Sequence, residues 1–389
     1  MAKIAVSPIP NFATVEQVIE ELNPGYPVYC LRPAEIQRQA KYFLENFPGR
    51  VLYAVKCNPH LAVLRILYDA GIRHFDTASL TEIADVREHF PQADCYFMHP
   101  VKARAAIQTA HSVYGVGHYV IDHVKELEKI VESTGSADGR VILVRIVTPA
   151  HDVQYQLSDK FGIPADQAPE LLRQVHEAEF QTGVAFHVGS QCRSPQAFAD
   201  GVRTALEVIQ KAAVPVHYLD VGGGFPASYE KDNPPPLEDY FSAIHEAFDQ
   251  DILRRDCVLM CEPGRAMVAS GCSLLVQIQL RKGNKLYIND GIYQSLSETI
   301  LGKVKFPARL INPQRNLSTT SQDFKILGPT CDTVDILPEP FNLPDDADEG
   351  DWIEIGQAGA YTNAAATRFN GFFPETFVSV DAPPLLPAT

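Results

Sequence analysis

No stretch of the 389 residues approaches the roughly eighteen consecutive apolar residues that a membrane span needs. Excess positive charge is also missing, since 33 lysines and arginines stand against 48 aspartates and glutamates, a net charge of −15. Such a surface repels phosphate backbones and anionic headgroups, so neither nucleic acid nor membrane is expected as a main partner. The opening Met1-Ala2-Lys3-Ile4-Ala5-Val6-Ser7-Pro8 lacks an apolar signal core and reads as an untargeted, cytoplasmic start. CxxC pairs are absent. The eight cysteines (30, 57, 95, 192, 257, 261, 272 and 331) are scattered, as expected of reduced thiols serving as small apolar residues. Cys257 and Cys261 are four apart with no second pair to complete a zinc site, so no metal is expected. Internal repeats and long low-complexity segments are lacking too.

What the sequence does contain is a rhythm. Short apolar runs begin near Val51, Ile72, Cys95, His118, Val141, Gly183, Val216 and Cys257, separated by stretches mostly long enough for a helix. Leu61 to Ala70, Leu80 to Phe90, Ala168 to Ala178 and Pro195 to Ala213 carry helical spacing. Strands alternating with helices imply parallel pairing, and eight units predict a (β/α)8 TIM barrel over 35–268. Past Arg265 the texture changes to strand-like runs, Ser273 to Leu280, Lys285 to Ile288, Phe324 to Leu327, Trp352 to Ile355 and Thr376 to Val380, between Pro- and Asp-rich loops. These predict a mostly β domain over 269–389. The N-terminal segment 1–34 is expected to add a strand to it through Pro27 to Leu31. Residues 338–351 read as a solvated loop and the segment from Ala382 as a frayed tail.

The active site of such a barrel lies just past the carboxyl ends of its strands. Those positions hold Lys56, Asp76, His99, Arg145, His187, then Asp220-Val221-Gly222-Gly223-Gly224-Phe225-Pro226, then Cys261-Glu262-Pro263-Gly264-Arg265. Lys56 follows Val51-Leu52-Tyr53-Ala54-Val55 and precedes the structure-breaking Asn58-Pro59. An amine at the end of a buried strand is poorly solvated and can be neutral and nucleophilic; the bland alternative is a surface lysine at a strand exit. A lone His187 is more often a satisfied core group than a catalyst, but polar residues cluster at nearly every strand end. Three consecutive glycines let backbone N–H groups approach an anion, with Arg265 as a charge partner. Gly222-x-Gly224-x-x-Ala227 fits a dinucleotide fingerprint only nominally, because Pro226 interrupts it.

Tyr53 to Asn58, Phe75 to Glu82, Phe186 to Ser190, Asp220 to Pro226, Glu262 to Arg265, Gly328 to Asp332 and Gly359 to Thr362 together resemble the fold-type III pyridoxal-phosphate decarboxylases, the ornithine decarboxylase branch above all. The resemblance runs in order over nearly the whole chain. It implies an alanine racemase-like barrel with a β domain, a homodimer with active sites at its interface, and pyridoxal 5'-phosphate as cofactor. By resemblance, Lys56 holds the cofactor covalently and Glu262 binds its ring nitrogen, while His187 stacks on the ring. Ser190, Gly223, Gly224, Arg265 and Tyr361 hold the phosphate, and Asp76 and Arg145 support the Lys56 end. Cys331 returns a proton to the substrate Cα and Asp332 pairs with the distal ammonium. Both come from the partner subunit with Tyr293 beside them, and Phe369 packs near the site wall.

Two features sort among relatives of this fold. Alanine racemases place an arginine against the ring nitrogen, where this chain has Glu262. Diaminopimelate decarboxylases resemble Cys-Glu-Ser where this chain has Cys331-Asp332-Thr333. A basic L-amino acid, ornithine or lysine, decarboxylated to its diamine in polyamine biosynthesis, is therefore expected. The acid that ornithine and lysine decarboxylases carry after Tyr293 falls here on Leu301 or Gly302, and His99 stands where asparagine is usual. An amino acid with a different distal group stays open, as does a non-catalytic regulatory homologue. The latter should have lost the lysine, the carboxylate or the glycines, and all are present.

Overall fold

The structure, a computed structural model, describes residues 9–135, 137–148, 153–155, 160–248, 253 and 256–387. They group into two compact units. One comprises 40–226 and 234–266; the other comprises the N-terminal segment to residue 39, 227–233 and the chain from 267.

The first unit is a closed barrel of eight parallel strands: Arg50–Ala54, His74–Thr77, Asp94–Phe97, His118–Ile121, Val141–Arg145, Gln181–Ala185, Tyr218–Asp220 and Val258–Cys261. The last strand pairs with the first, Met260 opposite Arg50. These are the eight runs expected from the sequence. The helices Leu61–Asp69, Leu80–His89, Ala168–Glu177 and Pro195–Ala212 stand where the spacing placed them. Leu52, Tyr96, Met98, Val120, Val141, Leu143, Ala185 and Met260 pack together as buried core, so the barrel is filled and chemistry is confined to its ends.

In the second unit the long strand Cys272–Lys282 is the hub. It pairs antiparallel with Val28–Leu31, with Trp352–Ile355 and with Lys285–Ile288. Val28–Leu31 is the N-terminal strand expected from the sequence, and Thr376–Val380 lies parallel beside it. A helix that the apolar pattern did not announce, Val15–Leu22, closes one face. Thr14 accepts the Gln17 N–H at 3.2 Å and Gln17 accepts the Ala13 N–H at 2.6 Å, a capping box. Its Val15, Val18 and Ile19 pack with Val28, Leu275, Trp352 and Val378. Residues 227–233 belong with this unit and not with the barrel: Glu230 N–H donates to Lys305 O at 2.9 Å, and Tyr229 packs edge-on to Phe306.

Two expectations fail. Within 338–351, Phe341–Pro344 forms a strand against Ser321–Leu327, because Phe341 and Leu343 alternate inward around an exposed Asn342. The segment from Ala382 is docked: Ala382 N–H donates to Ala13 O at 3.0 Å, and the buried Arg32 Nε donates to the carbonyls of Ala382 and Pro383 at 3.0 and 3.1 Å. A guanidinium that would otherwise leave buried donors unsatisfied gives these proline-rich carbonyls a reason to stay.

Candidate active site

Each polar residue at the barrel's carboxyl end is set by local chemistry. After the first strand, a short turn, Val55–Cys57, carries Lys56 outward, and the Tyr53 hydroxyl donates to Asn58 O at 3.1 Å to close it. Lys56 is 41% exposed at its side chain, and its Nζ pairs with the carboxylate of Asp76, itself 2% exposed. The poorly solvated amine expected from a strand end is thus corrected to an accessible one engaged by a buried carboxylate. Past Asp76 a second capping box, with Ser79 accepting the Glu82 N–H and Glu82 accepting the Ala78 N–H, anchors the following helix.

At the sixth strand's end His187 accepts the Gly189 N–H at Nδ1, 3.0 Å, which puts the proton of a neutral ring on Nε2. Burial first, then Arg145 and Lys56, push its pKa well below the ordinary histidine value, so the ring is neutral. Gly223 lies so close that a Cβ there would stand 3.0 Å from His187 Nε2 and 2.7 Å from Glu262 O. Gly224 has φ +106°, and a Cβ on it would meet Gly189 O at 2.3 Å. Only glycine fits at these two positions. Arg265, 3% exposed, donates from Nη2 to Ser190 Oγ at 3.3 Å, bringing a cation beside this glycine turn.

Glu262 is a buried carboxyl set among others. Burial, then Asp220 and Asp76, drive its pKa well above the carboxylate range, with Lys56 and Arg145 opposing. Asp220 is fully buried and also raised, by burial first and by Asp76, while its Oδ1 accepts the Gly222 N–H at 2.8 Å. Burial holds the Arg145 guanidinium below its usual value, Glu262 and Asp122 offsetting part of this, and Phe161 lies 5.5 Å from it. His99 packs edge-on to the same Phe161. Lys56, Asp76, Arg145, His187, Ser190, Gly223, Gly224, Glu262 and Arg265 are therefore assembled within the barrel unit. Asp220, which the sequence placed at the seventh strand's end without giving it a role, joins them two residues before the glycines.

A second cluster belongs to the other unit. The Tyr293 hydroxyl donates to Asp332 Oδ2 at 2.9 Å, and Val334 N–H donates to Asp332 Oδ1 at 2.8 Å. The Val334 N–H first, then Tyr293, hold the Asp332 carboxyl below its ordinary pKa. Tyr293 packs at a tilt against Phe369 with ring centroids 4.7 Å apart, and Cys331, exposed, donates its N–H to Asn370 Oδ1 at 3.0 Å. Leu301 is 58% exposed at the end of the short helix Glu298–Leu301, whose Glu298 is buried and supplies no surface charge. Tyr361, in left-handed backbone, follows Gly359 in this same unit.

A family model described as "Pyridoxal-dependent decarboxylase, pyridoxal binding domain" matches residues 33–269. Ornithine decarboxylase of Mus musculus is 33% identical over 344 residues, 82% of this chain and 73% of its own. Antizyme inhibitor 2 of Xenopus laevis is 32% identical over 366 residues, 87% and 77% of the two chains. Among solved structures, the arginine decarboxylase of Paramecium bursaria Chlorella virus bound to agmatine aligns with a TM-score of 0.81 at 25% identity, over 93% of this chain and 98% of that one.

Proposed function

Since the chain belongs to the pyridoxal-dependent decarboxylases and takes pyridoxal phosphate to decarboxylate a basic amino acid, we propose that its substrate is L-ornithine or L-lysine, released as the diamine. The reading extends to a cytoplasmic enzyme of polyamine biosynthesis that works as a homodimer. The observation that carries it is the loop carboxylate Asp332, oriented by Tyr293 beside Cys331, in a chain whose barrel gathers residues suited to the cofactor.

The barrel residues fit the cofactor. Gly223 and Gly224 form a cradle that a Cβ would fill, and Arg265 with Ser190 offers donors to a phosphate. Glu262, raised by burial among other carboxyls, would be relieved by a cationic ring N–H and would keep that nitrogen protonated. His187, neutral, offers a flat ring face. Lys56 provides the accessible amine for covalent attachment, held by Asp76, and Arg145 sets the charge beside it. When bound, the cofactor supplies an electron sink for the pair left as carbon dioxide departs. Cys331 then donates its thiol proton to Cα. Asp332 receives the substrate's distal ammonium and so fixes its length. In the dimer, a second copy of the chain brings Cys331, Asp332 and Tyr293 to this barrel, with Phe369 beside them, while Tyr361 adds a hydroxyl for the phosphate.

A substrate with a larger or less basic distal group is favoured by one feature, the apolar Leu301 exposed where a second acid would strengthen diamine recognition. Carbon dioxide release from ornithine, lysine, arginine and their distally acylated forms decides between the two. Turnover of ornithine or lysine at the highest kcat/KM supports the proposal, and preference for an acylated form replaces it with the second reading.

A further inference from the structure

Asp335 is 2% exposed, and among the described residues it forms no ion pair. Neutral donors hold it. Its Oδ1 accepts the Ile292 N–H at 2.9 Å, and its Oδ2 accepts the Thr330 N–H at 3.0 Å and the Thr330 hydroxyl at 2.7 Å. Its backbone joins in, the carbonyl accepting the Gly328 N–H at 2.9 Å and the N–H donating to Asp332 O at 3.2 Å. Its carboxylate also explains two glycines: a Cβ on Gly291 or on Gly328 would stand 2.2 Å from Asp335 Oδ1. One buried carboxylate thus ties together two loops distant in sequence. One carries Tyr293, the next residue after Ile292, and the other carries Cys331 and Asp332, just past Thr330. The hydrogen bond between Tyr293 and Asp332 crosses that same gap.

We propose that Asp335 is a positioning residue, which sets the Tyr293–Asp332 pair where it can take the substrate's distal ammonium without touching the substrate itself. This rests on the reading of Asp332 as the distal-amine partner. A carboxylate suits the task because it accepts from several donors at once, and charge-assisted bonds are stiffer than neutral ones. Asparagine in its place turns an amide donor toward Thr330 or Ile292, so that one loop is released while the volume is kept.

The test is a double-mutant cycle on the cofactor-loaded enzyme, measuring kcat and KM for the best substrate together with cofactor absorbance and melting temperature. Asp335→Asn should lower kcat/KM by about tenfold to a hundredfold, the scale of a misplacement near 1 Å, with KM raised and cofactor absorbance unchanged. Thr330→Val, which removes one donor, should act in the same direction with a smaller loss, and it serves if Asp335→Asn does not fold. In an Asp332→Asn background either substitution should lose less than threefold, because the group being positioned is already gone; contacting residues couple in this way. Loss at Asp332 with none at Asp335 or Thr330, or an equal loss in both backgrounds, overturns the positioning role alone. If Asp332→Asn itself leaves kcat/KM at the parent level, the reading of Asp332 falls and this role for Asp335 with it.

Discussion

The barrel's carboxyl end and the Tyr293–Asp332 loops are two ways of holding functional groups. At the barrel end the groups stand at strand ends, and most are deep: Asp220 is fully buried, Asp76 is 2% exposed and Arg265 3%. Burial there shifts titration strongly, as Glu262 and His187 show. In the β unit Cys331, Phe369 and Leu301 are exposed on a loop, a short turn and the end of a short helix, and two hydrogen bonds outweigh burial in tuning Asp332. Rigid, desolvated strand ends suit a bound group whose charge must be fixed, whereas accessible loops suit discrimination among substrates.

If the barrel end is the seat of cofactor chemistry, its substitutions should have the largest effects. Lys56→Ala should reduce decarboxylation by at least ~10^3-fold, on the scale of removing a covalent catalyst. Borohydride reduction of the native enzyme followed by peptide mapping should find the pyridoxyl label on Lys56. A label on Lys160 or Lys303 would sink that assignment.

Glu262→Gln should keep the cofactor and lower kcat by roughly a hundredfold, about 3 kcal/mol of barrier for one lost charged contact. Parent-like turnover with cofactor bound would mean that the ring-nitrogen role belongs elsewhere.

The comparison is sharpest if the two clusters meet only between subunits. Mixing inactive Lys56→Ala with inactive Cys331→Ala protein should then restore activity at roughly a quarter of all sites, since random exchange gives half mixed dimers with one intact site each. Demonstrated exchange without recovery would show each site to be built within one chain.

A last effect bears on stability of the β unit and not on turnover. Burial pushes Glu354 up, but Arg32 and then Arg309 outweigh it and hold the carboxyl below its ordinary value. Arg32 Nη2 lies 2.6 Å and Arg309 Nε 2.7 Å from it. A depressed carboxyl contributes stability above its unfolded pKa of about 4.3 and loses it as pH falls through the lower folded value. Glu354→Gln should therefore cost about 3 kcal/mol at pH 7, the lower end for breaking a buried pair, and the melting gap to the parent should narrow below about pH 4. A gap constant down to pH 3 would remove the ionic explanation.

How much of this was readable in advance follows from the physics of each region. Parallel barrel strands are buried on both faces, so they read as continuous apolar runs, and all eight could be counted. The candidate site residues follow those runs directly, which is why Lys56, His187 and Glu262 were visible. The capping box at Thr14 was short and polar, and the strand Phe341–Pro344 was hidden among prolines and acids, so both escaped. Solvation of Lys56 was misjudged because the turn Val55–Cys57, three residues long, has no periodicity to read.

The sequence by itself determined the barrel, the order of chemistry along its strand ends, and the family to which the chain belongs, because period and motif are local properties. Only the tertiary structure decided which charges face each other. Asp220 raises Glu262, Arg265 reaches Ser190 across 75 residues, and Asp335 ties Ile292 to Thr330. Electrostatics and hydrogen bonds depend on distance through space, and no spacing along the chain reports it.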